Sequence, residues 1–218
     1  MEERSPGLLL QVIPYLGKQK ILKVFTPEAG LVSLIEKKHS SGPLTPFCLA
    51  EWVYRKGNRD ICLLLEVSVR NHFLELRSSY RALCAAGQIS QDLLKVHMPG
   101  GSSFELFALA SSFFQQMSFF EHPEVLVMLF RLKWLQQEGL LSFRSACSLC
   151  GASALHVHRG ESYCLSHALQ PGWTFSREEW TYLERLCAAR SFTELKTFGL
   201  ISALFDKISL FFQEHILP

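Results

Sequence analysis

Residues 8–32 read LLLQVIPYLGKQKILKVFTPEAGLV, from Leu8 to Val32. Two short apolar runs are separated by Leu16-Gly17-Lys18, and a third opens after Thr26-Pro27-Glu28-Ala29-Gly30. Gly loosens the backbone and Pro removes a ladder donor, so short apolar runs bounded by them read as strands. The same reading extends outward from this stretch. Expected strands cover 8–15, 20–25, 31–37, 47–55 and 60–69, with further turn signals at Ser40-Ser41-Gly42-Pro43 and Lys56-Gly57-Asn58. Five strands at this spacing, with no helical period before residue 70, predict a small antiparallel barrel. An OB-like barrel is the candidate at this size.

Beyond residue 70 the apolar period becomes helical. Ser102-Ser103-Phe104-Glu105 has the S-x-x-E form of a capping box and predicts a helix reaching about Phe120. Pro123 suits the first turn of the next helix, which is expected to run to about Glu138 and stop at Gly139. That segment is apolar nearly all round at its start, as a helix in the centre of a bundle must be. Ser176-Arg177-Glu178-Glu179 is a second capping box, opening a helix to about Arg190. A last helix over 194–215 would align Phe198, Ile201, Phe205, Ile208 and Phe212 in one stripe. Leu210, Phe211 and Phe212 cannot all face inward from it, so some apolar surface is expected there. The predicted class is α+β. A five-stranded OB-like β-barrel over 1–72 is followed by an α-helical domain over 73–218, with a zinc-knuckle insertion at about 144–170.

The 218 residues suffice for two modest cores, and 48% hydrophobic against 19% charged residues is ordinary globular composition. Seven cysteines, an odd number, argue for metal or buried thiols over disulfides and for a reducing compartment. The opening Met1-Glu2-Glu3-Arg4 lacks a basic signal region, and no run approaches the ~18 apolar residues of a membrane span. A cytoplasmic protein is the expectation. The net charge of +2 divides unevenly: residues 1–80 carry 11 Lys and Arg against 8 Asp and Glu, and the remainder carries 11 against 12. A weakly basic barrel is compatible with a polyanion partner.

Cys147, Cys150, Cys164 and His167 form a C-x2-C-x13-C-x2-H array. Two tight pairs of soft or borderline donors suit tetrahedral Zn²⁺, and Gly151 lets the first pair turn around an ion. The competing readings are a redox C-x-x-C and a buried Cys164 thiol. His156 and His158 lie between the pairs and could replace His167, although His167 has the paired spacing. Four protein donors leave no open position for water, so the array reads as structural. Ala146 precedes Cys147 where a zinc deaminase has Pro-Cys-x-x-Cys, and H-E-x-x-H, a P-loop and a nucleophile elbow are also missing. An enzyme is not expected.

Lys18, Lys20, Lys37, Lys38, Arg55, Lys56 and Arg59 concentrate near strand ends and turns, with Tyr15, Trp52 and Tyr54 close in sequence. Barrels that bind single strands combine such cations with stacking aromatics. Lysines at strand edges also keep sheets from aggregating, and Trp52 could equally be core.

The chain resembles the RecO family of bacterial recombination mediators. The resemblance rests on residues 15–32, on Gly42-Pro43-Leu44-Thr45-Pro46-Phe47 with Glu51-Trp52-Val53-Tyr54-Arg55, and on Phe130-Arg131-Leu132-Lys133-Trp134-Leu135 leading to Gly139 and Cys147-Ser148-Leu149-Cys150-Gly151. It implies an OB barrel, a helical domain with a zinc module, and non-enzymatic work on DNA. That work is binding single- and double-stranded DNA, annealing complementary strands, and helping place RecA on strands coated by single-strand binding protein. The implied partners are RecR and the acidic tail of that coating protein, with RecA indirectly and no membrane, and the implied location is the nucleoid. Two departures stand out. The basic loop after the third strand is short here, Glu36-Lys37-Lys38-His39-Ser40-Ser41, and the fourth ligand position, often Cys in zinc-bearing members, is His167. The alternative function is a zinc-stabilised protein–protein adaptor whose barrel never touches nucleic acid.

Overall fold

The computed structural model describes residues 2–36, 44–57, 61–95 and 104–216, which form two compact units, Met1–Phe120 and Glu121–Pro218. The first unit begins with five strands: β1 (Glu2–Pro14), β2 (Lys20–Thr26), β3 (Gly30–Glu36), β4 (Cys48–Arg55) and β5 (Ile61–Asn71). They close into a barrel in the order β1-β2-β3-β5-β4, with every pair antiparallel except β3 and β5. β1 starts earlier than its apolar run because it serves two neighbours: Glu2–Leu9 pair with β4, and Leu8–Pro14 pair with β2. Following the register from Ile13 through Ile21, Ile35, Leu63 and Arg55 returns to β1 at Glu2, eleven residues lower on the same strand. Such a stagger tilts the strands steeply and leaves an interior just wide enough for side chains.

Leu9, Leu22, Val24, Leu34, Ala50, Trp52 and Tyr54 fill that interior. Trp52 lies across Gly7, donating its indole N–H to the Gly7 carbonyl at 3.0 Å. A Cβ at position 7 would sit 2.9 Å from Trp52 Cδ1, so glycine is required by close approach. Leu8 and Leu10, on either side of the inward Leu9, are also buried. Three leucines in succession are therefore covered on both faces of β1.

Part of the outer cover is helical. α1 (Tyr80–Lys95) packs on β1, and α2 (Phe104–Gln116) packs on β2, where Phe107 meets Phe25 at 6.2 Å between ring centroids. Phe114 of α2 is held edge-on by Phe47 and Phe73, at 5.7 and 6.1 Å. Both clasping residues have positive φ, 63° and 44°, a conformation costing a bulky side chain about 1–2 kcal/mol. The chain thus divides at 120/121, whereas the change of period pointed to 72/73. Sequence period marks where strands stop, but packing decides which helices belong to the barrel. Ser102 and Ser103 lie outside the described residues.

In the second unit α3 (Glu124–Gln137) is buried at Val125–Leu132, Trp134 and Leu135. Pro123 is its N-cap, and Gly139, with φ 70°, lets the chain turn away at its end. Trp134 meets Phe212 of α6 (Ser202–Ile216) at 5.4 Å. Arg131, only 6% exposed, donates to Ser209 Oγ at 2.7 Å and lies 5.7 and 5.6 Å from the Phe205 and Phe212 rings. These contacts offset the desolvation of its guanidinium.

The Ser176 capping box opens α4 (Arg177–Ala188): Ser176 Oγ accepts from Glu179 N at 3.1 Å, and Glu179 Oε2 accepts from Ser176 N at 2.8 Å. The expected single helix over 194–215 is instead two. A short α5 (Phe192–Leu195) and α6 are separated by a segment containing Gly199, and Ile201 is left exposed. Ser191 caps α5 by accepting from Glu194 N, so a new start is encoded inside the supposed stripe. Leu204, Ile208, Phe211 and Phe212 form the buried face of α6, while Leu210 stays exposed. Among the described residues no helix is long and apolar enough to cross a membrane.

Candidate functional site

Between α3 and α4 the chain forms a knuckle of very short elements. β6 (His156–His158) lies between β7 (Glu161–Tyr163) and β8 (Trp173–Thr174). Arg159 and Gly160, with φ 48° and 81°, make the β6–β7 turn, two positive-φ residues that match the twist of a hairpin. A second tight turn carries the first cysteine pair. Cys147 N donates to Ala152 O at 2.7 Å, Gly151 N donates to Cys147 O at 3.0 Å, and Gly151 has φ 73°. The second pair sits after β7, where a 3₁₀ turn over Leu165–His167 brings His167 back beside Cys164.

These turns converge Cys147, Cys150, Cys164 and His167, with all four ligand atoms within 4.8 Å of one another. Cys150 Sγ and Cys164 Sγ are 3.7 Å apart, and His167 Nδ1 is 3.6 Å from Cys147 Sγ and 3.4 Å from Cys164 Sγ. Bonds of about 2.3 Å to sulfur and about 2.0 Å to nitrogen give a tetrahedron with edges of about 3.8 Å (S–S) and about 3.5 Å (S–N). These three separations agree with those edges, and the group is compatible with zinc in both chemistry and size. Burial pushes the Cys147 thiol up, but backbone N–H groups of Cys164, Leu149 and Cys150 and the His167 ring outweigh it and bring it down to about 6. The Ala152 amide draws Cys150 down, yet burial and the Cys164 and Cys147 sulfurs push it up on balance. Crowded thiolates repel each other, and a divalent cation removes that conflict.

His156 and His158 are not part of the cluster. His156 is fully buried, with Nε2 donating to Leu169 O and Nδ1 accepting from the Thr174 hydroxyl, both at 2.8 Å. A Cβ at Gly172 would collide with this ring, which explains the glycine after Pro171. His158 Nδ1 donates to Pro171 O. Both histidines are spent on backbone and hydroxyl partners that staple the returning strand, a role that spacing alone did not reveal.

The barrel cations fall into two groups. Lys18 lies in the β1–β2 turn and Lys20 begins β2, opposite Pro14. Arg55 and Lys56 lie at the other end of β1, ion-paired with Glu2 at 2.7 Å and Glu3 at 2.8 Å. Lys37, Lys38 and Arg59 lie outside the described residues. Of the neighbouring aromatics, Trp52 and Tyr54 are 0% and 1% exposed and belong to the core, while Tyr15 is 43% exposed. The outer face of β1, β4 and β5 carries a shallow depression lined by Arg4, Glu51, Glu66 and Arg70, where Arg70 pairs with Glu51. Its charges balance, so it offers no cationic track.

A closed five-stranded barrel, helices packed on it, and a second helical unit bearing a Cys₃His knuckle define an OB-barrel protein with a candidate metal site of structural type. No protein-family model matches the chain. It is 30% identical over 200 residues to the DNA repair protein RecO of Chlamydia muridarum, covering 87% of this chain and 85% of that one. It is similarly 30% identical to the DNA repair protein RecO of Chlamydia pneumoniae over 87% of this chain and 78% of that protein. The DNA repair protein RecO of Chlamydia trachomatis serovar L2 is 29% identical over 89% of this chain and 84% of its own. The chain belongs to the RecO family of DNA repair proteins.

Proposed function

We propose that this protein is a non-enzymatic, DNA-binding recombination mediator that acts in the cytoplasm at the nucleoid. It anneals complementary strands and assists RecA in reaching single-stranded DNA coated by single-strand binding protein. Its partners are single- and double-stranded DNA, RecR and the C-terminal tail of the coating protein. The observation that carries this reading is the 30% identity over 87% of the chain to a protein named for DNA repair. The barrel gives the reading a physical vehicle, since closed five-stranded barrels commonly bind oligonucleotides on their strands and loops.

Phosphate neutralisation by lysine and arginine releases counterions and gives binding its salt dependence. Lys18 and Lys20 meet no carboxylate among the described residues, so they supply this contribution directly, with Lys37, Lys38 and Arg59 as further candidates. Arg55 and Lys56 contribute less, because each must exchange Glu2 or Glu3 for a phosphate. Holding two strands on one surface lowers the entropic cost of their meeting, which promotes annealing. Cys147, Cys150, Cys164 and His167 hold a structural Zn²⁺ that ties together strands too short to stand alone.

A salt titration of fluorescent oligonucleotide binding tests the reading. Affinity should fall linearly with salt on logarithmic axes, and no binding at low salt, alone or with RecR, overturns it. The ion pairs of Arg55 and Lys56 favour a second reading, a zinc-stabilised protein adaptor. Charge reversal at Lys37 and Lys38 separates the two. DNA binding falls under the first reading, and under the second RecR binding is the measurable activity and no DNA affinity exists to lose.

A further inference from the structure

The β1–β2 turn carries side chains that the barrel does not use. Tyr15 is 43% exposed and Leu16 is 72% exposed, yet the backbone beneath them is held by hydrogen bonds. Tyr15 N donates to Gln19 O at 2.9 Å, Gln19 N donates to Leu16 O at 3.3 Å, and Gly17 takes φ 65° to close the loop. A turn pinned this way holds its apolar tip in water at a hydrophobic cost. A barrel with a filled core gains nothing from that arrangement.

Charge identifies what meets the tip. Lys18 and Lys20 flank it, and Lys23 follows on β2 with its Nζ donating to Ser33 Oγ at 2.8 Å. Lys20 is in register with Glu36, but that carboxylate is buried and makes no ion pair with it. Elsewhere on the barrel Arg55, Lys56 and Arg70 are each matched to a glutamate. The β1–β2 hairpin therefore concentrates lysines that meet no carboxylate among the described residues, directly beside an exposed aromatic ring and an exposed aliphatic side chain. Phosphates next to unstacked bases have the complementary chemistry: anions at a regular interval and flat apolar faces between them. A duplex presents the anions but keeps its base faces stacked inside. An acidic peptide would match the lysines but offers no series of flat faces to Tyr15.

We infer that the β1–β2 hairpin tip is a reader of unpaired bases, in which Tyr15 stacks on a base of a single strand, Leu16 abuts the neighbouring base, and Lys18 and Lys20 hold the flanking phosphates. The inference rests on the DNA-binding reading above and adds a location, a strand preference and a means of keeping bases unstacked while a complementary strand is tested. Tyr15 and Leu16 are binding residues in this scheme, and the lysines set affinity without sequence or strand discrimination.

The test uses the full chain with a single-stranded oligonucleotide containing 2-aminopurine and with a duplex of the same sequence, at one low salt concentration. Tyr15→Ala should weaken single-strand binding about 5- to 100-fold and remove the 2-aminopurine fluorescence change, while duplex affinity stays within about twofold. Tyr15→Phe should retain both signals, because stacking needs the ring and not the hydroxyl. Leu16→Ser should diminish the fluorescence change with a smaller loss of affinity. Lys18→Ala with Lys20→Ala should weaken single strand and duplex alike and flatten the salt slope. Tyr15, Leu16 and Lys18 are exposed and Lys20 is half-buried, with none in the core, so matching thermal midpoints of variants and parent exclude misfolding. If the parent binds single strands but Tyr15→Ala binds them equally well, the inference is overturned while the DNA-binding reading stands. If Tyr15→Ala loses single strand and duplex equally, the tip is not a reader of bases. If the parent binds no nucleic acid at low salt, both fall together.

Discussion

The barrel and the knuckle solve the same problem by opposite means. The barrel buries Trp52, Tyr54, Leu9, Leu22, Val24 and Leu34 inside strands of seven to thirteen residues, and its closure gives every strand a partner on both sides. The knuckle has strands of only two or three residues and keeps Leu149, Leu165 and Leu169 exposed. Its order comes from point contacts: turn hydrogen bonds, the His156 staple, Ser162 Oγ donating to Ser142 O at 2.8 Å, and four converging ligands. Apolar burial is distributed over many side chains, so a barrel tolerates single losses. Point contacts are concentrated in a few atoms and do not.

The largest effect should follow from breaking the concentrated side. Cys147→Ser with Cys150→Ser should abolish stoichiometric zinc, measured by elemental analysis, and raise hydrogen exchange across residues 141–175 while leaving the barrel amides protected. Equal zinc in parent and variant would remove the metal site. Next comes the distributed side. Trp52→Ala should cost about 3–5 kcal/mol, read as a lower denaturant midpoint, because it leaves a cavity and orphans the Gly7 carbonyl.

Smaller effects sharpen how the knuckle is anchored to α4. Phe143 meets Trp180 at 5.2 Å and Phe175 at 6.2 Å, and Lys207 reaches Glu179 at 2.8 Å. Ser176→Ala should cost about 1 kcal/mol by removing the cap. Burial pushes the Glu179 carboxyl up, but Lys207 and the Ser176 amide outweigh it and hold it below the usual range. A depressed carboxyl stabilises the fold above its unfolded value, and that contribution is lost as pH falls through the lower folded value. Lys207→Met should therefore flatten the acid limb of a stability–pH profile below about pH 4.5, and an unchanged limb would exclude the ion pair as its source. The smallest effect is expected at Arg55–Glu2, an exposed pair worth about 0–1 kcal/mol. Glu2→Gln should barely move the thermal midpoint, yet it should strengthen oligonucleotide binding if Arg55 reaches phosphate.

Much of this was legible locally. Alternating apolar runs between Gly and Pro signals located the strands, and Ser176-Arg177-Glu178-Glu179 located a helix start, because both depend on neighbours within a few residues. The paired spacing around Cys147 and Cys164 pointed to His167 over His156 and His158, and the geometry agrees. The break between α5 and α6 is masked in the sequence because a stripe of Phe and Ile at helical spacing continues across it, while the signals against one helix are a Ser191 cap and a glycine. Trp52 reads equally as a stacking platform or core, since both uses require an aromatic ring.

By itself the sequence determined the α+β order, the five strands, the central buried helix and the Cys/His cluster, all properties of local period and spacing. Only the tertiary structure decided that α1 and α2 belong with the barrel, that Arg55 and Lys56 are matched by Glu2 and Glu3, and that Tyr15 and Leu16 stand in water beside unmatched lysines. Each of these is a pairing between residues that chain distance does not relate. A steep stagger brings Glu2 to Arg55 across 53 positions, and no periodicity in the chain encodes which charge meets which.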